Sequence, residues 1–190
     1  MKDNLPVILF ETEKNLINWL EVNVGKAGLW IRIAKKNSGV LSITYEQAVE
    51  VALCFGWIDG VKNTFDEKTW VQRFTPRKPN SKWSKINRNK AEELIAGGKM
   101  RPSGLAAVEI AKQKGIWDTA YDSQKSAKVP EDLKAELNKN PEAAEFFNSL
   151  NSVNRYAIIY RLQVSRNPEI RVKKLGQFVE MLIQKKKIHN

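Results

Sequence analysis

The hydrophobic pattern of this chain changes period once, near Pro76, and that change limits the fold more than any other feature. Before it lie runs with the two-residue period of a strand. In LWIRIAKK, Leu29, Ile31 and Ile33 alternate with Trp30, Arg32 and Ala34. VILF (Val7 to Phe10) is a short strand candidate, and the β-prone runs WIDGVKNTF (Trp57 to Phe65) and TWVQRFTP (Thr69 to Pro76) are separated by a gap that suits an antiparallel hairpin. Two helices interrupt the strands. EKNLINWLEVNV places Leu16, Ile17, Leu20 and Val24 at helical spacing, and SITYEQAVEVALCFG offers Thr44 and Gln47 as a capping box ahead of Ala48, Val51, Ala52 and Phe55. The order is βαβαββ.

After Lys82 no convincing strand follows. Helices are expected near 82–96, 103–114, 131–139, 141–150, 153–165 and 168–187, and Asn140-Pro141-Glu142 and Asn167-Pro168-Glu169 read as start signals: a capping Asn, a Pro at the first helical position and a carboxylate at the positive helix end. The expected class is therefore α+β, an antiparallel sheet with packed helices in the N-terminal half and an all-helical C-terminal half. The joint falls near Pro76 to Asn80, which gives lobes of 1–80 and 81–190. A chain of 190 residues can bury roughly 70% of the surface its unfolded form exposes, enough for a full core.

Several kinds of chemistry find no residues here. The chain has one Cys and one His, which cannot supply the three or four ligands of a zinc site. His189 sits next to last in a lysine-rich tail expected to fray, a poor place for a general base. Cys54 lies in the apolar run VALCFGW and reads as a buried, inert core residue that has no disulfide partner. AGGKMRPSG, from Ala96 to Gly104, lacks the spacing of a phosphate-binding loop and reads as a connector. Adjacent Asp66 and Glu67 point to opposite faces of an extended chain and make no acid/base dyad. No catalytic residue, metal or cofactor is expected. The amino terminus has too few consecutive apolar residues for a signal peptide and no stretch approaches the length of a membrane span, so a soluble cytoplasmic protein without an integral membrane segment is expected.

Charge is the remaining signal. Residues 1–80 carry 11 basic and 9 acidic side chains, whereas residues 81–190 carry 21 and 12, so the second half holds +9 of the total +11. The stretch RFTPRKPNSKWSKINRNK supplies the anion-binding candidates Arg73, Arg77, Lys78, Lys82, Lys85 and Arg88. Trp83 or Trp70 is placed to stack on a base, the combination used by single-strand binders. The same stretch reads first as a solvated elbow: Trp83, Ile86, Ala91, Leu94 and Ile95 fall near one helical face, with the cations on the other side. A second basic cluster, with Arg155, Arg161, Arg166, Arg171, Lys173, Lys174 and Lys185 to Lys187, lies in the last helices. If the two clusters share one surface, they make a polyanion site.

Several motifs in order, ALCFGWIDG, QRFTPRKPNSKWSKIN, LIAGGKM and PSGLAAVEIAK, resemble the YdeI/OmpD-associated family, also labelled bacteriocin-protection proteins. The resemblance runs through nearly the entire chain. Its closing segment, NPEAAEFFNSLNSVNRYAIIYRLQVSRNPEIRVKKLGQFVEML, is similar to that family's C-terminal helical region, about 125–187 here. Ile170 departs from the pattern, where a Thr after Pro-Glu is expected. The family is similar to the YjbR/CyaY-like group, which implies an α+β fold with an antiparallel sheet, and the family name implies a part in stress or antimicrobial-peptide protection. It carries over no catalytic residues. The absence of an export signal argues against direct contact with a porin.

Together these observations lead to the expectation of a non-enzymatic binding protein that meets nucleic acid or another polyanion, or a protein partner, through its basic surface. The alternative is a small-molecule enzyme or sensor whose pocket between sheet and helical lobe uses Trp57, Asp59, Trp83 and Asn87.

Overall fold

The computed structural model describes residues 4–189. Four strands, β1 (Val7–Leu9), β2 (Leu29–Ala34), β3 (Trp57–Thr64) and β4 (Thr69–Pro76), form one sheet in the order β1-β2-β4-β3. β4 pairs antiparallel with both β2 and β3, as the hairpin spacing requires, while β1 pairs parallel with β2. The sheet is therefore mixed rather than wholly antiparallel. The cause is α1 (Glu13–Val22): a helix between two adjacent strands returns the chain to the edge it left, and parallel pairing follows. Helices α2 (Tyr45–Cys54), α3 (Lys85–Ala96), α4 (Pro102–Gln113), α5 (Glu131–Lys139), α6 (Pro141–Ser149), α7 (Ser152–Gln163) and α8 (Pro168–Ile183) complete the described elements, and all strands precede α3.

The chain divides into two compact units, Met1–Ser81 with Asn87–Asp118, and Lys82–Ile86 with Thr119–Asn190. We call them the sheet unit and the helical unit; the chain passes between them after Ser81, after Ile86 within α3, and after Asp118.

The core of the sheet unit is built from the buried stripe of β2, Leu29, Ile31 and Ile33, against Leu16 and Leu20 of α1 and Val51 of α2. The Thr44 capping box forms as expected: its hydroxyl accepts the Gln47 N–H at 3.2 Å, and the Gln47 side chain accepts the Thr44 N–H at 2.8 Å. Two glycines permit α4 to lie against the end of α2. A Cβ on Gly104 would stand 2.2 Å from the Cys54 carbonyl oxygen. Gly56, at φ +74, leaves α2 in the left-handed region, where a Cβ would meet the Ser103 oxygen at 2.7 Å. The hairpin turn is organised by Asp66. Its Oδ1 accepts from the Lys68 and Thr69 N–H groups at 2.9 and 2.6 Å and from the Thr69 hydroxyl at 2.8 Å, and its Oδ2 accepts from Arg32 at 2.5 Å. These bonds hold the carboxyl below its ordinary pKa, the Thr69 hydroxyl contributing most.

The helical unit buries Leu133 and Leu137 of α5, Phe147 of α6, Ile158 and Leu162 of α7 and Leu182 of α8. The two Asn-Pro-Glu starts differ. Asn167 accepts the Ile170 N–H at 3.1 Å and caps α8, whereas Asn140 turns back to donate to the Glu136 carbonyl at 2.8 Å, because α5 ends directly where α6 begins. The tail expected to fray is docked. Asn154, 2% exposed, accepts the Ile188 and His189 N–H groups at 3.1 and 2.9 Å and donates to the His189 carbonyl at 3.2 Å.

Candidate functional site

The six cations proposed from the basic stretch divide between the two units, and most are half-buried. Arg73 lies on β4 and Arg77 just beyond it, both half-buried, with the Arg77 N–H donating to the Gly56 carbonyl at 2.9 Å. Lys78 is exposed. Arg88, in α3, reaches the Trp117 carbonyl at 3.5 Å and stands 3.9 Å from Glu92. Lys82 and Lys85 belong to the helical unit, where a single bridge, Ser84 beside Tyr121, ties this short segment down. The Lys85 N–H donates to the Tyr121 carbonyl at 2.8 Å, and its ammonium pairs with Asp122 at 2.8 Å. Tyr156 and Gln163 of α7 hold Asp122 in turn, through its carbonyl at 2.8 Å and its carboxylate at 2.9 Å.

This anchoring carries Lys82 to the end of α7, where cations from both basic clusters meet. The Lys82 ammonium donates to the Val164 carbonyl at 3.3 Å, and Lys174 of α8 donates to the Ser165 hydroxyl at 2.9 Å. Arg166 sits exposed in the same turn. Arg171 binds the Leu162 carbonyl and grips Asp132 through Nε and Nη2, at 2.6 and 2.9 Å. The carbonyls that end a helix attract positive charge, which explains why this corner gathers cations. Yet the gathering exceeds what one helix end needs. Burial, and then Arg166 and Lys174, push the Lys82 ammonium below the ordinary lysine pKa, as expected of a cation crowded by two others. The Asp132 carboxyl is held below its ordinary value, chiefly by the Arg171 hydrogen bonds.

Sequence reasoning named Lys82 in one cluster and Arg166 and Lys174 in another, and left open whether the clusters meet. The start signal at Asn167-Pro168 was the available clue, because it fixes a tight turn after α7 and brings the first turns of α8 back to the α7 terminus.

The four residues proposed for a pocket are placed apart in role. Trp57 is 4% exposed and packs edge-on against Trp19, ring centroids 6.2 Å apart. Asp59 accepts the Tyr45 hydroxyl at 2.8 Å. Asn87 is half-buried in α3, and Trp83, 2% exposed, belongs to the helical unit as a core anchor. Ile86 and Ile95, expected on the buried face with it, are exposed. Cys54 is half-buried rather than fully so. Among the described residues no group of three or more His, Cys, Asp or Glu side chains is placed to hold a metal, and no helix is long and apolar enough to cross a membrane.

Fold and site thus define a two-unit α+β protein with a cation-rich helical corner. Residues 8–107 match the family described as "Domain of unknown function (DUF8412)", and the chain belongs to that family. Residues 126–185, which include α5 to α8, match the family described as "Bacteriocin-protection, YdeI or OmpD-Associated". That likeness, read from the sequence across nearly the whole chain, is thus matched over the helical part, and the matches lend no support to a YjbR/CyaY-like grouping. No curated protein and no solved structure gives a match.

Proposed function

We propose that the protein is a non-enzymatic, cytoplasmic binding protein with a part in bacteriocin or antimicrobial-peptide protection. Its anionic partner is a nucleic-acid phosphate backbone held at the α7–α8 corner. The observation that carries this reading is the convergence of Lys82, Arg166 and Lys174. Crowded cations repel one another, and a phosphate bridging them removes that cost on binding. The match at 126–185 supports a role related to bacteriocin protection and contains Arg166 and Lys174.

Trp83 is buried and offers no stacking surface. Binding therefore tracks phosphates, with little sequence preference and a steep dependence on salt.

The test is fluorescence anisotropy of labelled single-stranded RNA at low and high salt. Replacing Lys82, Arg166 and Lys174 by Gln together should flatten the salt slope by about 2 to 3 units. Arg77→Ala with Lys78→Ala should change it less. Binding by the native chain that does not vary with salt, or that survives the triple replacement, refutes the proposal.

A further inference from the structure

The sheet unit contains a pocket of about 310 Å³ that the phosphate reading does not use. It lies where α1, α2, the end of α3 and the start of α4 come together. Its volume is at the lower end of the range for small-molecule sites, roughly 300 to 1,000 Å³. The apolar wall is Ile17 of α1, Val51 of α2, Phe55 and Leu94 of α3; Val51, Phe55 and Leu94 are buried beneath it. Cys54 lines the same space.

The rim is charged, and its charges are not equally committed. Glu50 is bound by Lys90 at 3.1 Å, and Glu13 accepts from the Gln47 amide at 2.8 Å. Arg101 is bound by Glu21 at 2.8 Å and lies over the Phe55 ring, 5.8 Å from its centroid. Lys99 is exposed, and its ammonium has no hydrogen bond or ion pair among the described residues. Its backbone is nonetheless fixed, since the Lys99 N–H donates to the Leu94 carbonyl and the Arg101 N–H to the Cys54 carbonyl, each at 2.9 Å. An apolar wall beside one uncommitted cation is complementary to an apolar molecule with one negative end.

We propose that this pocket binds a small amphiphilic carboxylate, with its hydrocarbon part against Ile17, Val51, Phe55 and Leu94 and its carboxylate on Lys99. The site is distinct from the α7–α8 corner, and neither proposal depends on the other. Cys54 supplies a built-in reporter. Burial raises its pKa while Arg101 and Lys99 oppose the rise, so the thiol should alkylate slowly, and as a lining residue Cys54 should respond to an occupant of the pocket.

The experiment compares octanoate, octylammonium and 1-octanol, below the concentrations at which they form micelles, by isothermal titration and by the rate of Cys54 alkylation with iodoacetamide. Octanoate should bind the full chain and slow alkylation, with octanol weaker and octylammonium weakest. Lys99→Gln should weaken octanoate about three- to fivefold, as expected for losing one exposed charge pair, and Lys99→Arg should preserve it. Lys99→Glu should reverse the order of octanoate and octylammonium. Lys99 is exposed, so these variants should keep the circular dichroism of the native chain. Alkylation unaffected by octanoate, octanol binding as well as octanoate, or octylammonium preferred by the native chain would each overturn the proposal.

Discussion

In the sheet unit, Arg32 meets Asp66 at 2.5 Å, Lys90 bridges Glu50 and Glu93 at 3.1 and 3.0 Å, and Arg101 meets Glu21 at 2.8 Å. The helical unit has such pairs too, Lys85 with Asp122 and Arg171 with Asp132, but Lys82, Arg166 and Lys174 also gather at one helix end, where the charges that move Lys82 are both positive. The totals point the same way. The helical unit holds 15 Lys and Arg against 8 Asp and Glu, or +7, and leaves +4 from 17 against 13 to the sheet unit. The distinction lies more in arrangement than in number. Cations matched one by one with carboxylates hold loops and helices in place, whereas like charges set close together raise the local positive potential.

The largest expected effect falls on the sheet unit alone. Gly104→Ala drives a methyl into the Cys54 backbone and should cost about 3 kcal/mol or more. Tryptophan fluorescence during denaturant unfolding reads this selectively, since five of the six Trp residues lie in that unit and only Trp83 in the other. A midpoint that moves equally in tyrosine signals from Tyr121, Tyr156 and Tyr160 would break the separation of the units.

Asn154→Ala is the counterpart in the helical unit. It strands the backbone N–H groups of Ile188 and His189 and should cost about 2 kcal/mol, with faster hydrogen exchange at those two amides. Unchanged exchange there would show that the tail is held by something else.

Acid should separate the units' anchors more gently. The Asp132 pKa is depressed in the fold, so its pairing with Arg171 stabilises above the unfolded value, near pH 4, and is lost as pH falls below it. Asp132→Asn should therefore lower stability at pH 7 by no more than about 1 kcal/mol and make little difference at pH 2 to 3, in unfolding followed through the tyrosines. An equal loss at both pH values would assign the effect to packing.

Smallest in stability is the triple Gln replacement at Lys82, Arg166 and Lys174, within about 0.5 kcal/mol of native and on the stabilising side if repulsion dominates the helix-end attraction. A large loss of stability in a melt would mean that the corner is an anchor like those of the sheet unit.

Much of this fold was legible because its signals are local. Thr44 with Gln47 fixed the start of α2, the alternation of Leu29, Ile31 and Ile33 marked β2, and Pro168 marked the start of α8. The parallel pairing of β1 was not legible, since Val7–Leu9 is too short to reveal which edge it joins. Nor was the site. Lys82 and Lys174 are 92 positions apart, and the bridge between Ser84 and Tyr121 with the Lys85–Asp122 pair brings the first to the end of α7. Trp83 shows the opposite difficulty: an aromatic among cations reads as a stacking residue or a core anchor until its burial is known.

The most direct test of the corner is lysine acetylation with acetic anhydride, read residue by residue by mass spectrometry with and without single-stranded RNA at low salt. Lys82, whose depressed pKa favours reaction, and Lys174 should be modified in the free protein and protected by RNA, while Lys14 and Lys26 of the sheet unit react as before. Protection absent at Lys82 and Lys174, or spread evenly over both units, would contradict the assignment of the phosphate site to the α7–α8 corner.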